Sequence, residues 1–155
     1  QLRDSEEETA ILATLDQDQV VVVACEEAGR QAALSASPGS LISLHHSALG
    51  HAIAAHLDPL QQRRLLEEGA KRQSEMDPIA WQEKMKSLWN LTSARGYAIV
   101  QDDIAKGCLS LAVPVFDIEG RPVGAMALVG SIDRLDEVRA HGLSSDLGTA
   151  FRRPP

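Results

Sequence analysis

Two apolar runs separated by a short polar segment dominate the later half of the chain. They cover residues 108–116 and 122–130, and the turn-forming sequence Asp-Ile-Glu-Gly joins them at 117–120. Continuous apolar runs of this length, bounded by glycine and turn residues, are typical of strands buried on both faces and paired as a β-hairpin. The small residues Ser110 and Ala127 interrupt the runs, which leaves room for a helix or a ligand to approach the sheet.

A second hairpin is predicted near the start of the chain. Residues 9–15 and 19–25 are rich in Val, Ile, Leu and Ala, and the polar turn Asp-Gln-Asp separates them. Residues 31–37 predict a further strand, which ends at the tight turn expected of Pro38-Gly39.

The periodicity changes from that of a strand to that of a helix after residue 43. Ala48, Ala52 and Ala55 recur on one face of a predicted helix, and Ser43 is predicted to cap its start. The small side chains on this face would allow the helix to approach the sheet closely.

Two Asp-Pro pairs predict the starts of two further helices, because Asp is a favoured N-cap and Pro is tolerated in the first turn. These helices begin at Asp58 and Asp77 and are predicted to end at Gly69 and Gly96. Residues 132–151 predict a final amphipathic helix. The order of strands, helices, strands and helix indicates an α+β fold with a mostly antiparallel sheet.

The composition fits one globular domain and argues against some functions. The 155 residues are 44% hydrophobic and 24% charged, which is ordinary for a protein that buries a core. The net charge of −7 argues against nucleic-acid binding by this chain alone, because phosphate contacts need a surplus of Lys and Arg. Neither a signal peptide nor a run long enough to cross a bilayer is recognised, so a cytoplasmic protein without a membrane partner is expected.

Candidate catalytic and metal-binding residues are few. Cys25 and Cys108 lack CxxC spacing and lie in apolar runs, which is typical of buried thiols in a reducing compartment. The adjacent Asp102 and Asp103 would point to opposite faces of an extended strand, unlike a general acid–base pair. No metal, cofactor or catalytic residue is predicted. Four histidines are interpreted as surface or structural residues: His45, His46, His51 and His56.

The start of the helix near residues 44–50 is a candidate anion site. Backbone N–H groups there have no partner within the helix and carry partial positive charge, which suits a carboxylate or phosphate. The small residues Ala48 and Gly50 would let an anion approach the backbone. The alternative is that Ser43 caps these groups and the helix end simply packs on the sheet, and spacing alone favours this alternative.

Three stretches of the chain together resemble one protein family. Residues 38–52 contain Pro-Gly-Ser and then Leu-His-His-Ser-Ala-Leu-Gly-His-Ala, and residues 96–107 begin Gly-Tyr-Ala-Ile-Val-Gln-Asp-Asp and end in Gly. Residues 112–135 contain Ala-Val-Pro-Val-Phe-Asp and Val-Gly-Ala-Met-Ala-Leu-Val-Gly. In this order they are similar to segments of the effector-binding domain of the IclR family of bacterial transcription regulators, and the likeness covers nearly the whole chain.

This resemblance implies a GAF-like fold with a curved, mostly antiparallel sheet of about six strands flanked by helices. It implies an effector, usually a small organic acid or an aromatic compound, and a homodimer or homotetramer. DNA would be bound only through a winged helix-turn-helix domain on the N-terminal side, which is missing here. Residues 1–8 would end a linker or helix from that domain, residues 9–151 would form the effector-binding domain, and residues 152–155 would be a tail.

The resemblance also implies a carboxylate-binding position. The backbone N–H groups of Ala48 and Leu49 would hold the carboxylate of the effector. Ser110 stands where the family often has Cys or another small polar residue, so its hydroxyl would join them.

Three further positions of the implied site depart from the family pattern. Ala127 and Val129 stand where serines can occur, and Val100 stands where Asp is frequent. A site that cannot donate to hydroxyls discriminates poorly in favour of highly oxygenated ligands. We therefore expect an effector with an apolar or aromatic body and one anionic end.

Two other functions stay open at this point. The chain would be a pure oligomerisation module with a vestigial pocket if the apolar substitutions reflect a filled core. It would be a GAF-like thiol enzyme if Cys25, or Cys108 on the same face as Ser110, were a reactive thiolate. The ligand-sensing function is preferred, and enzyme activity is not predicted.

Overall fold

The computed structural model describes residues 9–26 and 36–133, together with Gly142. Within these ranges six strands form one sheet, and three helices pack beside it. The strands are β1 (Thr9–Asp16), β2 (Gln19–Glu26), β3 (Leu41–Ile42), β4 (Ala98–Gln101), β5 (Cys108–Phe116) and β6 (Pro122–Ser131). The helices are α1 (Ala48–Ala54), α2 (Pro59–Arg72) and α3 (Pro78–Arg95).

The sheet has the strand order β3-β2-β1-β6-β5-β4, and every neighbouring pair is antiparallel. The two predicted hairpins are confirmed as β1–β2 and β5–β6. The pairing of β1 with β6 joins the hairpins in the middle of the sheet. The predicted α+β class, with an antiparallel sheet of about six strands, is therefore confirmed.

Two predicted elements fall mostly outside the described residues, namely the strand at 31–37 and the helix at 132–151. The turn that was predicted to follow the first of them is confirmed. Gly39 has a φ of 92°, and the Ser40 N–H donates to the carbonyl of Ser37 at 2.9 Å.

Both Asp-Pro helix starts are confirmed, because each aspartate caps backbone N–H groups of the turn that follows it. Asp58 accepts a hydrogen bond from the N–H of Gln61 at 2.9 Å, and Asp77 accepts one from the N–H of Ala80 at 3.1 Å. Helix α3 ends as predicted at Gly96, whose φ of 88° lies in the left-handed region that favours glycine.

The predicted cap at Ser43 is wrong, because the first helix begins later. Helix α1 starts at Ala48, and Ser47 is its N-cap. The Ser47 Oγ accepts a hydrogen bond from the Gly50 N–H at 2.9 Å and donates one to the Ser43 carbonyl at 2.6 Å. Residues 44–46 form a turn that places the backbone of Leu44 against Gly50. Ser43 and Ser47 have the same side chain and could each cap a helix, so tertiary packing determines which of them is the N-cap of α1.

The predicted end of the second helix at Gly69 is also wrong. Helix α2 continues to Arg72, and Gly69 lies inside it. A Cβ added at Gly69 would overlap the ring of Trp81 and would lie 2.8 Å from the Nε2 of His45. The glycine therefore permits close packing against α3 and the turn before α1, and it does not terminate the helix.

Helix α1 occupies the centre of the described structure. It packs on strands β4, β5 and β6 on one side and on α3 on another, while α2 packs on α3. All seven residues of α1 are buried, which explains why its sequence carries small and apolar residues on every face. In the described ranges, no helix combines the length and the apolar character needed to span a membrane.

Candidate functional site

A row of four side chains crosses the sheet on the face that helix α1 covers at β4, β5 and β6. The register pairs Val100 with Ser110, Ser110 with Val129, and Val129 with Thr9, so these residues lie side by side on β4, β5, β6 and β1. Directly paired residues of neighbouring strands point to the same face. We call this set the Ser110 row.

The residues implied as ligand contacts come together in space. Ala48, Leu49, Ala127 and Val129 belong to one buried apolar cluster, and the side chain of Val100 packs against it. Ser110 lies between Val100 and Val129 in the Ser110 row. The structure thus assembles all six positions, and their role as ligand contacts stays a prediction.

A carboxylate of the protein itself binds at two of these six positions, Ala48 and Ser110. The Oδ2 of Asp103 accepts a hydrogen bond from the backbone N–H of Ala48 at 2.9 Å. Its Oδ1 accepts from the Ser110 hydroxyl at 2.5 Å and from the Ile104 N–H at 2.8 Å. Two of the donors predicted for an effector carboxylate therefore already hold a carboxylate.

Sequence reasoning missed the role of Asp103 because it treated residues 102–103 as extended strand. Strand β4 ends at Gln101, and Asp102 has a φ of 63°, which turns the chain out of the sheet. Aspartate tolerates this left-handed conformation better than most residues. A polar segment that ends at a glycine, Gly107, was the signal that could have indicated a turn.

The loop between β4 and β5 is closed by its own hydrogen bonds. The Oδ1 of Asp102 accepts from the Gly107 N–H at 2.7 Å, and the Asp102 N–H donates to the carbonyl of Cys108 at 2.9 Å. Asp102 thus holds the loop shut, while the side chain of Asp103 points to α1. The two neighbouring carboxylates engage separate donors.

The space around the site is filled with protein. Ala48, Ala127 and Val129 have 0% of their surface accessible, and Leu49 and Ser110 have 1%. Side chains that lined an open hollow would have accessible surface. Any ligand therefore reaches these residues only when part of their present cover moves.

Two surface grooves in the described structure lie away from the Ser110 row. One, of about 480 Å³, lies between α2 and α3 and includes Leu60 and Ile79. The other, of about 650 Å³, lies beside the β5–β6 turn and includes His56 and Arg121. Neither includes any of the six predicted ligand contacts.

The histidines near α1 have structural contacts. The Nε2–H of His45 donates to the carbonyl of Leu65 at 2.9 Å, and the Nδ1–H of His56 donates to the carbonyl of Ala52 at 3.0 Å. His46 is exposed. In residues 9–26 and 36–133, the His, Cys, Asp and Glu side chains form no group of three that could hold a metal ion.

His51 is buried in the core, so of the two interpretations, surface or structural, the structural one applies to it. The Nε1–H of Trp89 donates to the Nδ1 of His51 at 3.1 Å, so the ring is neutral with its proton on Nε2. Burial, with smaller contributions from His46 and His45, lowers the pKa of His51 from 6.5 to about 4.

We expect this buried histidine to make the protein less stable in mild acid. Because the pKa of His51 is lower in the folded state, the unfolded chain takes up a proton first as the pH falls. The contribution of His51 to the free energy of unfolding is therefore fully present above pH 6.5. As the pH falls towards 4, this contribution declines by at most about 1.4 kcal/mol per pH unit. Burial also lowers the pKa of His45, which acts in the same direction.

Thermal unfolding between pH 7 and pH 4.5 tests this expectation. His51→Gln retains an acceptor for the Trp89 N–H but does not titrate, so its melting temperature should fall less with pH than that of the unmodified chain. His46→Gln, an exposed change on the same segment, removes only one of the smaller contributions to the lowered pKa of His51 and should keep most of the original profile. Parallel profiles for the unmodified chain and His51→Gln would contradict the assignment.

The thiol of Cys108 is poorly suited to nucleophilic chemistry. Burial raises its pKa, and the carboxylates of Asp102 and Asp103 raise it further. A raised pKa lowers the fraction of reactive thiolate at neutral pH. This argues against the thiol-enzyme alternative at Cys108.

Comparison with protein families and with curated proteins gives consistent matches. The family model described as "Bacterial transcriptional regulator IclR C-terminal" matches residues 1–153. The HTH-type transcriptional regulator BhcR of Paracoccus denitrificans is 30% identical over 149 residues, which cover 94% of this chain and 52% of that regulator. The chain thus spans about half the length of this relative.

Solved structures share the fold of the chain. The Thermotoga maritima IclR structure has a TM-score of 0.79 at 21% identity, and the match covers 95% of this chain and 59% of that one. The C-terminal domain of the Escherichia coli regulator KdgR has a TM-score of 0.76 at 23% identity, covering 97% and 87% of the two chains. These likenesses confirm the predicted GAF-like architecture.

Proposed function

The chain belongs to the family of C-terminal domains of IclR-type bacterial transcriptional regulators, and from this membership we propose that it senses a small organic acid with an apolar or aromatic body. Binding would shift the population of two states of the regulator and so change its contacts with DNA. In this proposal the domain is cytoplasmic and assembles as a homodimer or homotetramer. DNA is bound through a separate winged helix-turn-helix domain, and the "HTH-type" name of the Paracoccus relative supports such a domain.

The observation that carries the proposal is the carboxylate of Asp103 between the Ala48 N–H and the Ser110 hydroxyl. It supports the idea that these donors suit a carboxylate, because both hydrogen bonds have good lengths. Asp103 lies in the loop between β4 and β5, outside regular secondary structure. An incoming acid would take its place at the same donors while the loop moves aside.

The surroundings of these donors support an apolar ligand body. Leu49, Ala127 and Val129 offer no side-chain hydrogen-bond donor or acceptor, and Val100 on the edge strand is only half-buried. The hydroxyls of a sugar acid would lose their water there without gaining partners, which costs free energy for each group. An aromatic or aliphatic acid avoids this loss.

Calorimetry with the unmodified chain tests the proposal. We expect phenylacetate and hexanoate to bind more tightly than gluconate, and the uncharged phenylacetamide to bind weakly. At a ligand concentration a hundred times the dissociation constant, the stability of the chain should rise by about 2.7 kcal/mol, which thermal melting would report. Tight binding of gluconate alone would contradict the apolar body.

The competing function is an oligomerisation module with a vestigial pocket. Complete burial of Ala48, Ala127 and Val129 is the observation that favours it, since a filled core has no need of a ligand. This alternative predicts that no acid changes the melting temperature. It also predicts that removal of Asp103 leaves the chain insensitive to added acids.

A further inference from the structure

Thr9 carries a buried hydroxyl without a partner. Its side chain has 0% accessible surface, and its Oγ1 has no hydrogen-bond partner; among the described residues no other buried side-chain nitrogen or oxygen is unsatisfied. By contrast, the hydroxyl of Thr14, on the same strand, donates to the carbonyl of Val123 at 3.0 Å. Buried polar groups are rarely left unpaired, so the Thr9 hydroxyl calls for an explanation.

The position of Thr9 connects it with the candidate site. It ends the Ser110 row, on the same face as Ser110 and separated from it only by Val129. Valine fills two of the four places in this row, at positions 100 and 129. A valine at position 9 would match the shape of threonine without an unpaired hydroxyl, so packing alone does not account for Thr9.

We propose that Thr9 is a second polar contact for the ligand, which is therefore an acid with a hydrogen-bonding group at the end opposite its carboxylate. This inference rests on the proposed function, because it takes Ser110 and the Ala48 N–H as the carboxylate end. The Thr9 hydroxyl, which can both donate and accept, receives the far end. Val129 lies beneath the apolar middle of the ligand.

The sheet geometry sets the length of this ligand. Thr9 and Ser110 are two strands apart, which corresponds to about 10 Å at the usual strand spacing. With a hydrogen bond of about 2.8 Å at each end, the two polar groups of the ligand lie roughly 5–9 Å apart. A para-substituted benzoate or a linear diacid of moderate length fits this span. Since Thr9 and Val129 are covered by protein in this structure, ligand entry displaces their cover together with the Asp103 loop.

Matched pairs of acids test the role of Thr9 by calorimetry on the 155-residue chain. The pairs are 4-hydroxybenzoate with benzoate and adipate with hexanoate, which differ in the far polar group. We expect the unmodified chain to prefer the polar-ended member of at least one pair by about tenfold, the effect of one hydrogen bond in a buried site. Thr9→Val should remove this preference, because it weakens the binding of the polar-ended acid and leaves the binding of the other acid unchanged.

Thr14→Val is the control, because it makes the same change on the same strand away from the Ser110 row, and it should keep the preference. Thr9→Val should melt at least as high as the unmodified chain, which shows that any loss of binding does not come from unfolding. An unchanged preference in Thr9→Val, or no preference in the unmodified chain, would overturn the role of Thr9 and leave acid sensing intact. Failure of every acid to bind would overturn the proposed function and this inference with it.

Discussion

Asp103→Ala should both destabilise the chain and make it responsive to free carboxylic acids. The change removes the acceptor for the Ala48 N–H, the Ser110 hydroxyl and the Ile104 N–H. Hydrogen bonds to a charged acceptor contribute about 1.5–3 kcal/mol each, and partial solvent access of the loop reduces the sum. We therefore expect the free energy of unfolding of Asp103→Ala to be lower by about 2–4 kcal/mol.

The vacated position should accept an acid from solution. Without the attached carboxylate of Asp103 as a competitor, phenylacetate should bind more tightly to Asp103→Ala than to the unmodified chain. Added phenylacetate should also restore much of the lost melting temperature, because a ligand that binds only the folded state stabilises it. Thermal melting over a series of phenylacetate concentrations measures both effects.

Two controls separate this rescue from general effects of acids. Asp102→Ala, at the neighbouring carboxylate, should lose stability through the Gly107 N–H but should gain nothing from phenylacetate. The double variant Asp103→Ala/Ser110→Ala should show weaker rescue than Asp103→Ala, because the ligand then has one donor fewer. Equal responses of Asp102→Ala and Asp103→Ala to phenylacetate would argue against a specific carboxylate site.

Gly50→Ala is the second change with a large expected effect. We expect it to destabilise the chain, although the same change stabilises an isolated helix. In an isolated helix alanine is favoured over glycine by about 1 kcal/mol. Here an added Cβ would overlap the Leu44 carbonyl group, which is backbone and cannot rotate away. We expect a loss of about 2–4 kcal/mol from this overpacking.

Urea denaturation measures the change at Gly50 against a matched control. A Cβ added at Gly142, by contrast, meets no atom within 4 Å. Gly142→Ala should therefore leave the stability within about 0.5 kcal/mol or raise it slightly. A stabilised Gly50→Ala would show that the turn at residues 44–46 moves easily and that Ser47 does not fix it.

Features set by local chemistry could be predicted from the sequence. The hairpins follow from apolar runs bounded by turn residues, and the starts of α2 and α3 follow from Asp58 and Asp77, whose side chains cap the next turn wherever the helix packs. The choice between Ser43 and Ser47, and the role of Gly69, depend on what approaches them from elsewhere in the fold. Local patterns do not carry that information.

The candidate site shows the same division. The family resemblance identified the six predicted ligand contacts. The antiparallel register explains why three of them, Val100, Ser110 and Val129, lie side by side. The role of Asp103 depends on the backbone turn at Asp102, and the isolation of the Thr9 hydroxyl depends on its neighbours in three dimensions. Neither is visible in an apolar–polar pattern.

The ladder between β1 and β6 has a consequence for how the molecule forms. It pairs Thr9 with Val129, so strands from opposite ends of the described chain must meet before the sheet is continuous. Contacts between residues so distant in sequence slow folding, because the chain loses the entropy of closing a long loop before the contact contributes any stabilising energy. During synthesis the β1–β2 hairpin forms before β6 has been made, so the edge of β1 that pairs with β6 is unpaired until then. We expect the newly made chain to be most prone to aggregation in this interval.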